Sequence, residues 1–328
     1  MRRQLFLEAV CRRRPPNIPA FGTATSVACQ QLMDRVGAQF PQAHLDAETM
    51  ARLAIAGHTV LGFDVVMPLF SVCHEAAAMG CAVNWGGVDA MPEAGKPIFR
   101  TIDDITIPKD LLKRPACAVP LEAIRLLKKR LGDAAAVCGK VFGGWTQAYH
   151  YFGVENFLIG TIDDPADTQR ILDALAPVTI AFAQAQIDAG ADCILLGDHA
   201  TRDLCSPAAY KQFLAPMHAY LAEQIEAPTL LHICGDTSDR IPAIAQTGVD
   251  CFHWDTKTGS AQEVRRLAGD KLALMGGISN YTLLRGTPDQ VARAASDAVQ
   301  AGIDIVGPEC AVPLQTPLAN LLAITSGG

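Results

Sequence analysis

Three stretches in the second half of the chain repeat one pattern: DAGADCILLGD at 188–198, AQTGVDCFHWD at 245–255 and VQAGIDIVGPE at 299–309. Each passes from the end of an amphipathic stretch through a glycine into a short apolar run, and ends on a carboxylate. A glycine in this place stops a helix, and a short apolar run bounded in this way is typical of a buried strand. The repeat therefore predicts helices that alternate with parallel strands, as in a β/α barrel.

The rest of the chain extends this pattern to eight candidate strands. They are Pro19–Thr25, Gly62–Phe70, Ala134–Gly144, Asp192–Asp198, Pro228–Cys234, Cys251–Thr256, Lys271–Ile278 and Asp304–Cys310. Most are continuously apolar, as expected of strands that are buried on both faces. Between two of them, Pro165–Gly190 has apolar residues at three- and four-residue steps, which predicts a long helix. Eight strands favour the α/β class and a closed (β/α)8 TIM barrel.

The predicted organisation is a single barrel domain over residues 1–328, a length that barrels often reach as one unit. Residues 1–18 are predicted to be an N-terminal helical extension whose helix stops before Pro15 and Pro16. Residues 71–133 interrupt the rhythm with pieces rich in glycine and proline, and we interpret them as an insertion after strand two. Loops at the carboxyl ends of barrel strands build active sites, so this insertion is placed to cover a substrate.

Composition excludes several classes of function. The net charge of −7 offers no broad attraction for nucleic acid or an anionic membrane surface, so neither is an expected partner. No uninterrupted apolar run is long enough to predict a membrane span, and no secretory signal is recognisable, so we expect a cytoplasmic protein. The eleven cysteines are an odd number without secretory features, which favours reduced thiols over a disulfide framework.

The strongest candidate site is a metal centre at the ends of two predicted strands. His232 and Cys234 stand two residues apart in PTLLHICGD, so their side chains share one face, and Cys310 ends the last strand. Strands five and eight are not adjacent, but both open onto the carboxyl-end mouth of a barrel. One imidazole and two thiolates suit Zn²⁺, and three protein ligands are typical of a catalytic zinc with an open position. The alternative is a core histidine beside ordinary buried cysteines.

Four further residues are candidates for substrate or cofactor contacts. Asp198 ends strand four and is predicted either to orient a substrate or to cap the next helix. Gly276 and Gly277 form a tight turn that would let a ligand approach the backbone. Tyr151 belongs to an aromatic cluster after strand three that would either wall a flat cofactor or simply pack in the core.

Four segments carry a resemblance to a known family: LLHICGDTSDRI (230–241), AGADCILLGD (189–198), LMGGIS (274–279) and GPECAVPLQTPLANL (307–321). In this order they resemble the uroporphyrinogen decarboxylase superfamily, and within it the corrinoid-dependent branch of methylcobalamin:coenzyme M methyltransferases. The similarity extends over nearly the whole chain. Its most specific element is the His-x-Cys pair with the late cysteine.

The resemblance implies a barrel enzyme in which His232, Cys234 and Cys310 bind zinc and activate a thiol. Asp255 stands where the family has an acidic residue that serves as a displaceable fourth ligand, although the family pattern there is Glu. No Asp-x-His-x-x-Gly pattern occurs in the sequence, so the methylated corrinoid is expected on a separate protein. The implied reaction moves a methyl group between that corrinoid protein and a thiol such as coenzyme M.

Other functions stay open at this point. The same fold and site would serve the reverse half-reaction, in which a methylated substrate methylates the corrinoid protein. A porphyrinogen-type decarboxylase is a second alternative, although we find no match to the arginine-rich N-terminal motif of those enzymes. A non-catalytic partner of a corrinoid protein is a third. A homo-oligomer is possible for any of them.

Overall fold

The computed structural model describes residues 2–13 and 18–326, and these contain ten strands. The strands are β1 Ala20–Phe21, β2 Val65–Val66, β3 Val83–Asn84, β4 Glu93–Ala94, β5 Ala136–Phe142, β6 Cys193–Gly197, β7 Thr229–Ile233, β8 Cys251–Trp254, β9 Ala273–Ile278 and β10 Ile305–Pro308. All except β3 and β4 lie inside the eight ranges predicted from the sequence. Strands β5, β6 and β7 are buried along their whole length, in agreement with the continuous apolar pattern.

Eight of these strands form one parallel sheet in the order β1-β10-β9-β8-β7-β6-β5-β2. The two end strands meet at Asp64, whose backbone N–H donates to the carbonyl of Phe21 at 2.8 Å. The carboxylate of Asp64 in turn accepts from the N–H of Phe21 at 2.8 Å. These bonds join the two ends of the sheet, and the predicted (β/α)8 barrel is confirmed.

Helices alternate with the barrel strands and surround the sheet. The α-helices are Arg2–Val10, Gln30–Val36, Gln42–Leu45, Ala47–Thr59, His74–Met79, Pro115–Leu131, Gly144–Phe152, Val154–Asp163, Pro165–Ala189, Pro207–Ala209, Ala215–Gln224, Ile241–Ile244, Ala261–Ala268, Asn280–Arg285, Pro288–Gln300 and Leu318–Leu322. The predicted long helix begins after Asp164, whose carboxylate caps it, and ends at Gly190 in the left-handed conformation (φ 112°). No helix within residues 2–13 and 18–326 is long and apolar enough to cross a membrane.

An aspartate at the start of every second barrel strand anchors the strand before it. In each case the carboxylate accepts a hydrogen bond of 2.8–2.9 Å from a backbone N–H at or beside the start of the neighbouring strand. The donor and acceptor pairs are Phe21–Asp64, Val137–Asp192, Thr229–Asp250 and Leu274–Asp304. These aspartates are the Asp of a repeated Gly-x-Asp pattern, and they satisfy donors that the ladder leaves unpaired at this end of the barrel.

The N-terminal helix Arg2–Val10 covers the same end of the barrel. Its Phe6 and Val10 are fully buried. Three arginines of the segment pair with the strand-start aspartates, in the pairs Arg2–Asp64 (2.9 Å), Arg3–Asp192 (2.8 Å) and Arg12–Asp304 (3.3 Å). The predicted stop at Pro15 and Pro16 lies outside the described residues.

The segment 71–133 follows β2 and contains more than one kind of element. It holds the helix His74–Met79, the antiparallel pair β3 and β4, two short 3-10 turns (Ile102–Asp104 and Leu111–Lys113) and the helix Pro115–Leu131. The last of these is the crossover helix that a β/α repeat requires before β5. The insertion predicted over residues 71–133 thus includes this crossover helix, which periodicity alone does not distinguish from inserted structure, and the other elements lie within residues 71–114.

Candidate metal centre

The register of the sheet places His232 inside the barrel near its carboxyl-end mouth. His232 is paired with Gly197 of β6 and with His253 of β8. A Cβ on Gly139 of β5 would meet Gln186 of a surrounding helix at 2.6 Å, so Gly139 faces outward; Phe142, three residues on, faces inward, and so does its register partner Gly197. Alternation along β7 then directs Cys234 to the same side as His232. Cys310 follows β10 at the same end of the sheet. Strands β8 and β9 lie between β10 and β7, the strand that contains His232 and leads to Cys234.

Three side chains meet at this mouth. The Nε2 atom of His232 lies 3.0 Å from the Sγ of Cys234, and that sulfur lies 3.2 Å from the Sγ of Cys310. All three potential ligand atoms lie within 4.8 Å of one another. His232 is buried, whereas both cysteines are half-buried, so the cluster can be reached from the mouth.

The backbone of β8 fixes the ring of His232. Its Nδ1 atom donates to the carbonyl of His253 at 3.0 Å, so that Nε2 is directed at the two sulfurs. His253 is itself held by donation from its Nε2 to the carbonyl of Pro308 at 2.9 Å. A ligating histidine is normally oriented in this way through its second nitrogen.

Electrostatics within the cluster favour one thiolate even without a cation. The hydrogen bond from Cys234, together with the charge of His232, holds the pKa of the Cys310 thiol well below its ordinary value. The pKa of Cys234 is raised, because its proton is shared with the Cys310 sulfur and because it is buried. Burial lowers the pKa of His232, but the charge and hydrogen bond of Cys310, the bond to the His253 carbonyl and the charge of Asp255 together outweigh burial and leave that pKa raised.

This donor set fits Zn²⁺ by its chemistry. One imidazole nitrogen and two sulfurs are ligands that zinc prefers, and three of them leave a position for a substrate. Nε2 of His232 is oriented towards the sulfurs and Cys310 ionises readily, and binding of a metal would displace any proton that His232 carries.

Asp255 lies next to the cluster but has other partners. One carboxylate oxygen accepts from the N–H of Gly235 at 2.9 Å and the other from the N–H of Lys257 at 3.0 Å. Asp255 therefore holds the turn that follows Cys234, and it is not among the grouped ligand atoms. Gly235 has a φ of 78°, and a Cβ there would meet Thr201 Oγ1 at 2.3 Å, so this turn requires glycine. Ligation by Asp255 stays a prediction.

Glu309 is a site residue that the sequence analysis did not single out. Its carboxylate accepts from the N–H of Asn280 at 2.6 Å and from the N–H of Thr256 at 2.9 Å, so it ties together the loops after β8, β9 and β10. Burial, with the nearby charge of Asp255, raises its pKa. Its position directly before Cys310, at the end of the third quoted repeat, was the available signal.

Asp198 is buried at the end of β6 and is fully engaged within the fold. Its carboxylate accepts from the backbone and the hydroxyl of Thr146, both at 2.8 Å, and contacts Nε2 of His218 at 3.1 Å. It therefore fixes the start of the helix Gly144–Phe152 to β6. Substrate orientation by Asp198 stays a prediction; the helix start that Asp198 holds belongs to the helix before β6, whereas the predicted alternative was a cap on the next helix.

The other three candidates lie in packed surroundings. Tyr151 is fully buried, its ring packs edge-on against Phe99 at 5.7 Å, and its hydroxyl donates to Gln147 at 3.4 Å. A Cβ on Gly276 would lie 2.8 Å from the carbonyl oxygen of Trp254, and one on Gly277 would lie 2.8 Å from the side chain of Ala298. Close packing thus accounts for both glycines, and cofactor contacts by these residues stay predictions.

A cavity of about 370 Å³ opens at the barrel rim beside the inserted elements. Its lining includes Glu93 of β4, Cys73 before the helix His74–Met79, and His199, which follows β6. The ring of His199 lies 5.8 Å from that of Phe142, which faces the barrel interior. Segment 71–114 therefore forms part of the rim around the mouth.

The fold and the cluster together define a (β/α)8 barrel protein with a His–Cys–Cys cluster of potential metal ligands at its mouth. A family model described as uroporphyrinogen decarboxylase (URO-D) matches residues 1–326, and the chain belongs to this family. The resemblance inferred from the sequence is confirmed.

Relatives of the chain include named methyltransferases. The chain is 33% identical to methylcobamide:CoM methyltransferase MtaA of Methanosarcina barkeri, over 93% of this chain and 91% of the relative. It is 35% identical to a methylated-thiol–coenzyme M methyltransferase of Methanosarcina mazei, over 94% and 83% respectively. A solved structure of a methyltransferase from Methanosarcina mazei superposes with a TM-score of 0.95 at 31% identity, covering 99% of this chain and 97% of the other.

Proposed function

We propose that this protein is a zinc-dependent methyltransferase that moves a methyl group from a methylated corrinoid protein to a thiol such as coenzyme M. The observation that carries the proposal is the meeting of His232 Nε2 with the sulfurs of Cys234 and Cys310 at the barrel mouth. The named relatives act as methyltransferases on methylcobamide or methylated thiols, which supports the reaction class.

The residues of the chain prepare the site for a thiol substrate. Zinc held by His232, Cys234 and Cys310 would supply a Lewis acid that keeps a bound thiol ionised at neutral pH. His253 holds the imidazole through Nδ1, so that Nε2 keeps its direction when substrates exchange. Asp255 holds the Cys234–Gly235 turn, and Glu309 ties the loops around Cys310.

The partner supplies the methyl group from outside the barrel. In the proposed reaction the bond between cobalt and the methyl carbon breaks and a sulfur–carbon bond forms, while the proton of the thiol is released. The mouth is the face at which the carboxyl ends of all barrel strands open, so a corrinoid protein is proposed to dock there. Docking would align sulfur, carbon and cobalt and exclude water.

Metal content and methyl transfer test this proposal together. Zinc would be measured by mass spectrometry in the wild type, in Cys310→Ala and His232→Ala, and in Cys251→Ala as a matched control. Cys251 is a buried cysteine of β8 outside the cluster. Free methylcobalamin would serve as methyl donor and 2-mercaptoethanesulfonate as acceptor.

We expect about one zinc per chain in the wild type and the control, and loss of zinc and methyl transfer in the two cluster variants. Zinc that stays bound in both cluster variants, or a wild type that binds none, would remove the basis of the mechanism.

The second candidate is the reverse half-reaction, in which a methylated thiol donates its methyl group to the corrinoid. One relative is named a methylated-thiol–coenzyme M methyltransferase, and this name supports a methylated thiol as a methyl donor. Supplying a thioether and reduced cobalamin to the same preparations, and following cobalamin methylation by absorbance, would distinguish the two directions.

A further inference from the structure

A lysine lies inside the barrel of this protein. Lys140 is in the middle of β5, in the run AVCGKVF, and is only 5% exposed. A Cβ on the preceding Gly139 would meet Gln186 of the surrounding helix at 2.6 Å, so Gly139 faces outward. Alternation along the strand therefore directs Lys140 to the interior.

The side chain lies in the same interior as the metal centre. The ammonium group of Lys140 lies 5.6 Å from the ring centroid of Phe142, on the inward face of the same strand. Phe142 packs over Gly197, which is paired with His232. The charge of Cys310 acts on Lys140: burial lowers the pKa of this lysine to about 8, while Glu75 and then Cys310 oppose that shift.

Lys140 differs from Arg240, which is also a buried cation, in having no hydrogen-bond or ion-pair partner for its ammonium group among the described residues. Arg240 donates to the carbonyls of Ala200 and Cys205 and to Asp239. In residues 2–13 and 18–326, Nζ of Lys140 makes no hydrogen bond, and no carboxylate lies within the 4.0 Å of an ion pair. Nζ is also not among the enclosed polar atoms that lack a partner, so it faces accessible space.

Among the charged groups around Lys140, Glu75 has the largest effect on the pKa of this lysine, but the two side chains do not form an ion pair. Its Oε1 atom accepts from the N–H of Phe142 at 2.9 Å. Burial raises the pKa of Glu75 to about 7, so near neutral pH it carries a proton for part of the time. Burying an ammonium group without a contacting anion is unfavourable. A barrel interior that holds one is therefore suited to bind a ligand that brings its own negative charge.

We propose that Lys140 binds the negatively charged group of the substrate and thereby selects thiols that carry a sulfonate or carboxylate over neutral thiols. This inference rests on the proposed function, because it places the substrate in the barrel beside His232, Cys234 and Cys310. Lys140 is in this view a specificity-determining residue that contacts the end of the substrate away from sulfur.

The first test uses ligands that have no sulfur nucleophile, so that methyl transfer is not required. Calorimetric titration of the wild type would compare ethanesulfonate with ethyl methyl sulfone, a neutral molecule of similar shape. Lys140→Met replaces the ammonium by an uncharged chain of similar length, and Lys140→Arg keeps the charge. A charged hydrogen bond in a buried site corresponds to about 10- to 100-fold in affinity.

We expect ethanesulfonate to bind the wild type at least about tenfold more tightly than the sulfone. We expect that preference to disappear in Lys140→Met and to be partly kept in Lys140→Arg. Equal binding of the two ligands by the wild type, or the same preference in Lys140→Met, would overturn the proposal even if one variant folds poorly, since the wild-type comparison needs no substitution.

The second test measures KM for 2-mercaptoethanesulfonate and for 2-mercaptoethanol, with methylcobalamin as donor. We expect the ratio of the two KM values to change by at least about tenfold in Lys140→Met. An equal change for both thiols would show that Lys140 only balances charge around Cys310. If no thiol is methylated but the sulfonate preference depends on Lys140, the methyltransferase proposal fails and the anion site stands.

Discussion

The buried histidine His44 makes the stability of the protein depend on pH in a way that one substitution can remove. Its ring is stacked on Phe40 with centroids 4.0 Å apart, and neither ring nitrogen has a hydrogen-bond partner among the described residues. Burial, followed by the charges of His74 and Lys140, lowers its pKa to about 3. The substitution His44→Phe keeps an aromatic ring in the stack and removes the titrating group.

The sign and size of the effect follow from proton linkage. Between pH 6.5 and pH 3 the unfolded chain binds a proton on His44 that the folded chain does not bind, so acidification favours unfolding. Lowering the pH from about 7.5 to about 5 should therefore cost about 2 kcal/mol of unfolding free energy at this residue alone. This stability is fully present above the unfolded pKa and is lost as the pH falls towards the folded one.

Guanidinium unfolding of the wild type and of His44→Phe at the two pH values measures the difference. The wild type should lose about 2 kcal/mol more than the variant on acidification, while His74 and the carboxylates contribute equally to both. His58→Gln is the control for removing a histidine elsewhere in the chain, because His58 is half-buried and lies outside the stack of His44 and Phe40. A variant whose pH dependence matches the wild type to within about 0.5 kcal/mol would refute the reasoning.

Two further predictions concern stability. Asp304 accepts from Leu274 and pairs with Arg265, so Asp304→Ala should lower the unfolding free energy by about 3–5 kcal/mol. Asp250→Ala, which removes a single backbone bond, should cost only about 1–2 kcal/mol, and chemical denaturation that ranks the two equally would contradict this account. Gly197→Ala places a Cβ within 2.7 Å of the Phe142 ring and should cost about 1–3 kcal/mol, visible as a lower Tm; an unchanged Tm would mean that the ring can move aside without strain.

Local patterns in the sequence were sufficient to predict the barrel. The predicted strand runs contain β5 to β10 because buried parallel strands are short apolar runs, and Gly190 ended its helix as a left-handed glycine does. The insertion predicted over residues 71–133 includes the helix Pro115–Leu131, because the pieces rich in glycine and proline before it interrupt the rhythm of the repeat. Whether a helix belongs to the repeat depends on what it packs against, and spacing does not carry that information.

The metal cluster was predictable in its members but not in its surroundings. An i, i+2 pair on a strand fixes the side of His232 and Cys234, and the barrel mouth explains how Cys310 can reach them. The support from His253 depends on register between strands, which no single strand encodes. Lys140 is recognisable in the sequence as a lone charged residue within an apolar strand. The sequence does not show that its side chain faces the interior, because this follows from the packing of Gly139 against Gln186 of a surrounding helix.

The two ends of the barrel differ in role: the amino end contributes to stability, and the carboxyl end carries the proposed chemistry. At the amino end, Asp64, Asp192 and Asp304 combine backbone N–H donors with arginines of the N-terminal segment, so charge there is paired by contact. Cys310 lies at the carboxyl end, and Lys140 lies in the barrel interior in the middle of β5; in the two proposals, a cation would complete the contacts of Cys310 and an anionic ligand those of Lys140. Substitutions at the amino end should therefore lower unfolding free energy with little change in zinc content, whereas those at the mouth should alter ligand binding first.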